Sequence, residues 1–119
     1  MTIRVLLVDD HKMMREGLRA VLASVPDITI VGEAADGRTA LDLVRTLTPD
    51  VVVMDVGMPE LNGVEAARRI QAEHKRVKVI ALSTHSDKRY VHHMLEAGAC
   101  GYVLKIGAHE ELVRAVRAA

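Results

Sequence analysis

The sequence predicts a doubly wound α/β fold in which a five-stranded parallel sheet is sandwiched by five helices. Three observations carry that reading. Short β-branched or aliphatic runs alternate with longer stretches of helical periodicity along the whole chain. The runs are nearly continuous in apolar character, as strands covered on both faces are. Finally, 119 residues accommodate five βα units but are too few for an eight-stranded barrel.

The elements follow in order. Ile3–Val8 reads as β1 and runs into the pair Asp9-Asp10. Met14, Leu18, Leu22 and Val25 recur on one helical face and predict α1. Ile28–Val31 reads as β2. Asp36-Gly37 is an N-cap signal for α2, whose stripe is Leu41, Val44 and Leu47 and which Pro49 stops. Val51–Met54 reads as β3 and ends at Asp55. Asn62-Gly-Val-Glu65 resembles a capping box before α3, with stripe Val64, Ala67 and Ile70. Val77–Leu82 reads as β4 and is followed by Ser83; Ser86-Asp87 caps α4, with stripe Val91, Met94, Leu95 and Gly98. Gly101–Leu104 reads as β5 and is followed by Lys105, and Leu112, Val113 and Val116 mark α5.

Half of the residues are hydrophobic and the formal net charge is +0, which favours one globular core over disorder. The charge balance removes the main sequence argument for direct nucleic-acid binding, a markedly basic domain. The single cysteine, Cys100, cannot form an internal disulfide and is expected to be a small buried hydrophobe. Apolar runs are too short for a membrane span, and the first residues lack a signal-peptide pattern, so a cytoplasmic location is expected.

In an open parallel sheet, functional groups gather where strands end at their carboxyl edge. The residues after the apolar runs are therefore the informative ones: Asp9, Asp10, Asp55, Ser83 and Lys105. Three carboxylates there repel one another, and a divalent cation or the Lys105 ammonium would relieve the repulsion. Oxygen ligands with room for water favour Mg2+ or Mn2+. The natural ligand for the cation's open positions is a phosphoryl group, which Asp55 could carry as an acyl phosphate. Taken singly, an Asp at a strand end is a turn former or a cap, and Asp10 could cap α1. Five such positions on one edge argue against that reading. The six histidines, His11, His74, His85, His92, His93 and His109, show no metal-ligand spacing and read as ordinary surface or half-buried residues.

At these residues the chain resembles the receiver (REC) domain of two-component response regulators, over essentially its whole length. The motifs are VLLVDDH at β1, VVVMDVGMPELNG around Asp55, VIALSTH at β4 and AGACGYVLK at β5. VGEAADGRTAL and AGACGYVLK resemble the NarL/LuxR-type branch, in which a helix-turn-helix DNA-binding domain follows the receiver. The resemblance implies a flavodoxin-like, CheY-like sheet of order 2-1-3-4-5. It also implies that residues 1–119 are a receiver domain at the N-terminal part of a longer regulator.

The resemblance further implies a role for each residue. Asp55 is expected to accept a phosphoryl group from a partner histidine kinase. Asp10, Asp55 and the backbone carbonyl of Gly57 are expected to ligate Mg2+, with Asp9 acting through water. Lys105 would pair with a phosphoryl oxygen, Ser83 would be the switch hydroxyl, and Tyr102 the aromatic that turns inward in response. Ile106 stands where many receivers have proline, so a trans Lys105–Ile106 bond is expected. Gly57 and His85 lie two places after Asp55 and Ser83, and an uncovered Gly57 predicts a modest phosphoryl lifetime. The implied partners are the kinase, a second copy through the α4-β5-α5 or α1/α5 face, and DNA only through a C-terminal domain outside this chain, with no membrane.

Other readings fit less well. An aspartate-nucleophile phosphohydrolase needs a second carboxylate two residues after Asp55, where Gly57 stands. An FMN-binding module needs a Ser/Thr/Gly-rich loop and flanking aromatics, and this chain has no Trp or Phe. A degenerate receiver would lack some of the expected residues.

Overall fold

A computed structural model of the chain describes residues 2–55, 63–83, 95–104 and 109–119. Strands β1 Ile3–Val8, β2 Ile28–Ala34, β3 Val51–Asp55, β4 Lys78–Ser83 and β5 Gly101–Leu104 form one parallel sheet in the order β2-β1-β3-β4-β5. The helices are α1 Lys12–Ala23, α2 Gly37–Leu47, α3 Gly63–Glu73 and α5 His109–Ala118. Of α4, residues 95 and 96 fall within the described residues and are helical.

The nearly continuous apolar strands are explained by two cores, one on each face. Val5, Leu7, Val51, Val53, Ile80 and Leu82 pack with Leu18 and Leu22 of α1 and Leu112 and Val116 of α5. Leu6, Val8, Val52, Met54, Val79 and Ala81 point the other way, toward Ala40, Leu41 and Val44 of α2 and Ala66, Ala67 and Ile70 of α3. Alternate residues therefore serve opposite cores. None of the helices formed by described residues is long and apolar enough to cross a membrane.

Several boundaries differ from the sequence reading, each for a local reason. Strand β2 continues past Val31 to Ala34 through a register shift: Val5 pairs with Ile30 but Leu6 with Gly32, which leaves Val31 as the extra residue of a bulge. A Cβ at Gly32 would stand 2.8 Å from Leu47 Cδ1 and 3.3 Å from Leu6 Cδ1, so a larger residue would make those side chains shift. Helix α1 stops at Ala23, and Val25 joins the same core from the following turn, where its N–H donates to the Leu22 carbonyl at 3.1 Å. Leu95 is exposed rather than part of a buried stripe, and Gly98 ends the segment with φ +105. Ala97 and Ala99 take the buried places, and the intervening alternation turns Cys100 outward. Cys100 is therefore exposed, not buried as expected, and lines an open groove of about 280 Å³ with Lys78, Ala115, Ala118 and Ala119. The caps expected at Asn62 and Ser86-Asp87 lie outside the described residues.

Both ends of α2 are closed as the sequence suggested. Asp36 is the N-cap of α2, and its carboxylate accepts the Thr39 N–H at 2.8 Å. That contact holds its carboxyl below the ordinary value. Thr48 closes the helix in a left-handed conformation, φ 44, with its N–H on the Val44 carbonyl, before Pro49.

Two predictions follow from this packing. Leu22→Ala removes a fully buried side chain between α1 and the sheet and should lower unfolding stability by about 2–5 kcal/mol. Asp36→Ala should cost about 0.5–2 kcal/mol, both read from urea titrations. Separately, Arg117 of α5 donates to Asp27 at 2.8 Å and holds its carboxyl below the ordinary 3.8. Because the folded value is the lower one, this stabilisation is complete above 3.8 and is lost as pH falls through the folded value. Asp27→Asn should accordingly lose less stability than wild type on acidification below 3.8. An identical acid profile for the two proteins would remove the pair from the account.

Candidate functional site

The strand register places the acidic residues before any side chain is considered. Val5 pairs with Val51 and Leu7 with Val53. The same alternation carried two residues further sets Asp9 beside Asp55, where the apolar column beneath α1 and α5 runs out. Both carboxylates are buried, at 1% and 5% exposure. Asp55 pairs in turn with Leu82 of β4, and Ser83 with Leu104 of β5. The carboxyl edge therefore runs from Asp9 through Asp55 to the backbone of Ser83.

The turn from β1 into α1 is held from several directions. The Asp9 N–H donates to the Ala34 carbonyl of β2 at 3.0 Å. Asp9 Oδ1 accepts the His11 N–H at 2.8 Å. Arg15, one turn into α1, donates from Nη1 to the Asp9 carbonyl at 2.6 Å. Its Nε lies 3.5 Å from Glu33 Oε1 of β2, and Glu33 Oε2 lies 3.3 Å from Arg19 Nη1. The N-cap of α1 is His11, with no side-chain cap bond, so Asp10 does not take the capping role open to it in the sequence. The His11 imidazole instead turns back over the acidic pair, with Nδ1 3.2 Å from Asp9 Oδ1 and 3.1 Å from Asp10 Oδ1.

One donor atom from each of Asp9, Asp10, His11 and Asp55 lies within 4.8 Å of all the others. Asp10 Oδ1 is buried and accepts no hydrogen bond among the described residues. A buried carboxylate oxygen still short of a hydrogen bond, in an oxygen-rich donor set, fits a divalent cation.

Of the residues singled out in the sequence, the structure brings Asp9, Asp10 and Asp55 together. For Ser83 and Tyr102 the backbone is described: Ser83 ends β4 at the same edge, and Tyr102 pairs with Ala81 inside the sheet. Gly57 and Lys105, together with His85, Pro59 and the Lys105–Ile106 bond, lie outside the described residues. Two contributors were missed. His11 was set aside with the other histidines because spacing alone shows no ligand pair, yet it directly follows the acidic pair in VDDH. Arg15 gave no signal beyond standing one helical turn after His11.

Comparison with known proteins agrees with this geometry. Residues 5–117 match the response regulator receiver domain family. The transcriptional regulatory protein DegU of Brevibacillus brevis is 43% identical over 97% of this chain, which covers 49% of DegU. A LuxR-family two-component response regulator from Aurantimonas sp. superimposes with TM-score 0.94 at 40% identity, over 99% of this chain and 84% of that one. The signal receiver domain of NarL from Mycobacterium tuberculosis gives TM-score 0.93 at 34% identity, over 98% and 94% of the two chains. The chain spans about half the length of the curated relatives it matches.

The Arg15 contacts lead to a direct test. With the cluster read as a divalent-cation seat, Arg15→Ala, which releases the Asp9 carbonyl, should weaken Mg2+ binding about tenfold, as loss of an outer-shell partner does, with the helical circular dichroism retained. Arg19→Ala breaks a more exposed pair and should leave Mg2+ affinity unchanged. Calorimetric titration of both variants makes the comparison.

Proposed function

The chain belongs to the response regulator receiver domain family, and on that premise we propose that it is a phosphorylation-dependent switch whose acceptor is Asp55. The observation that carries the proposal is the gathering of Asp9, Asp10 and Asp55 at one strand edge, with donor atoms within 4.8 Å. A carboxylate oxygen of Asp55 attacks the phosphorus of a phosphohistidine on a partner kinase. The N–P bond breaks, the imidazole leaves with the electron pair, and Asp55 carries an acyl phosphate. Hydrolysis returns the carboxylate and inorganic phosphate, so the only catalysis proposed is on the chain's own Asp55.

Asp10, Asp55 and the Gly57 carbonyl would hold Mg2+ or Mn2+, with Asp9 acting through water. Such a cation neutralises charge on the phosphoryl oxygens during in-line transfer. Lys105 pairs with one phosphoryl oxygen. The Ser83 hydroxyl turns to donate to another, drawing residues 84–86 with it, and Tyr102 fills the space released. A phosphoryl group adds about −1.5 to −2 charge and three acceptor oxygens, enough to bias a two-state element of this kind.

The partners follow from that switch: a histidine kinase as donor, and a second copy through the α4-β5-α5 or α1/α5 face. Transcriptional output would reside in a helix-turn-helix domain outside these residues, in a cytoplasmic regulator. The names of the relatives, several of them transcriptional regulators, support that output. The net charge of +0 gives this chain no electrostatic footprint for DNA of its own.

Intact mass after incubation with acetyl phosphate tests the central step. One phosphoryl group should be gained with Mg2+, none without it, and none by Asp55→Asn. A gain that persists in Asp55→Asn would move the acceptor elsewhere and sink the assignment.

A further inference from the structure

We propose that His11 is a nitrogen donor to the cation seat and biases it toward transition metal ions that take imidazole, Mn2+ and Ni2+, relative to Mg2+. The inference rests on reading the acidic cluster as a divalent-cation site. An all-oxygen seat gives Mg2+ and Mn2+ similar coordination. An imidazole nitrogen changes that balance, because affinity for nitrogen donors rises along the series from Mn2+ to Ni2+, whereas Mg2+ keeps to oxygen and water.

The geometry on the page places the nitrogen where a donor would stand. His11 Nδ1 lies 3.2 Å from Asp9 Oδ1 and 3.1 Å from Asp10 Oδ1. The spacing to Asp10 Oδ1 is that of adjacent donors around an octahedral ion, about 3.0–3.1 Å for bonds of about 2.1–2.2 Å, while Asp9, acting through water, keeps a hydrogen-bonding place beside the ring. Asp55 completes the set within 4.8 Å. The ring makes no cap hydrogen bond at the start of α1, but Nδ1 shares one with Asp9 Oδ1 at 3.2 Å, and ligation would release that Nδ1 proton and turn the lone pair to the cation. The side chain is 69% exposed, so it can adjust to an incoming ion without disturbing the core.

His11→Asn is the variant of choice, because asparagine is itself a favoured N-cap residue and keeps the start of α1. The chain, this variant and Asp10→Asn are titrated calorimetrically with Mg2+, Mn2+ and Ni2+, and Ni2+ is counted only as the fraction that excess Mg2+ displaces. His11→Asn should weaken Ni2+ about tenfold and leave Mg2+ within about twofold. Electron spin-echo spectra of bound Mn2+ should show modulation from a coordinated 14N that vanishes in His11→Asn. An absent 14N signal, or one retained in the variant, overturns the proposal. So does a parallel fall of Mg2+ and Ni2+ affinity, which would assign His11 to holding the turn. If Mg2+ fails to bind the wild-type chain, or binds Asp10→Asn equally well, the cation-site reading itself falls.

Discussion

Everything at the carboxyl edge depends on the confinement of carboxylates that the sheet register imposes. Val5 and Leu7 of β1 are matched to Val51 and Val53 of β3, and both pairs are locked in the core beneath α1 and α5. Asp9 and Asp55 extend those two columns, so they cannot separate unless the core shifts as well. Two unit charges at that spacing repel by a few kcal/mol at an effective dielectric of about 20. The apolar packing below must supply that energy, or a positive group must offset it. The fold thus confines carboxylates whose mutual repulsion a bound cation would offset.

The turn after β1 shows how such an arrangement is kept in shape. Arg15 reaches back from α1 to the Asp9 carbonyl while its Nε faces Glu33 on β2. One guanidinium therefore ties the helix to both strands, using backbone oxygen and carboxylate as partners. Because it binds the main chain of Asp9, the Asp9 side chain stays committed to the site and to the His11 N–H. The bulge at Val31 contributes to the same end. It shifts the register of β2 by one residue, so that Leu7 and Val8 pair with Glu33 and Ala34. Glu33 thereby stands opposite Leu7, one residue before the end of β1, with its carboxylate 3.5 Å from Arg15 Nε.

Much of this was legible in the sequence, for reasons that can be stated residue by residue. Strand ends are readable because an apolar run stops abruptly at a charge, and that rule found Asp9, Asp10 and Asp55. The sheet order followed from the family resemblance, since periodicity carries no information on which strands are neighbours. The departures arose where a third element decides. The apolar run of β2 reads to Val31, whereas pairing with β1 resumes after the bulge and carries the strand on to Ala34. Cys100 and Leu95 are apolar by type and were read inward, whereas Ala97 and Ala99 occupy the limited space beside the sheet. His11 could not be recognised by spacing, because its neighbours in the cluster are the adjacent Asp9 and Asp10 and, through the register, the distant Asp55.

On the proposed reading, the architecture also limits where a response to charge at Asp55 can go. Strands β1 and β3 each have a neighbour on both sides, and Val5–Val8 and Val51–Met54 are buried in the two cores. Close-packed interiors do not deform gradually, so a change at Asp55 is not absorbed there. Strand β5 differs: it is terminal in the sheet, four residues long, and paired only with β4. The next carboxyl-edge residue after Asp55 is Ser83, whose strand partner is Leu104 of β5. A pull on Ser83 therefore acts on the part of the sheet with the fewest restraints. The helix covering that strand is α5, through Leu112 and Val116, and α5 belongs to both candidate dimer faces. The sheet's asymmetry alone would route a local charge change at Asp55 toward an outer surface.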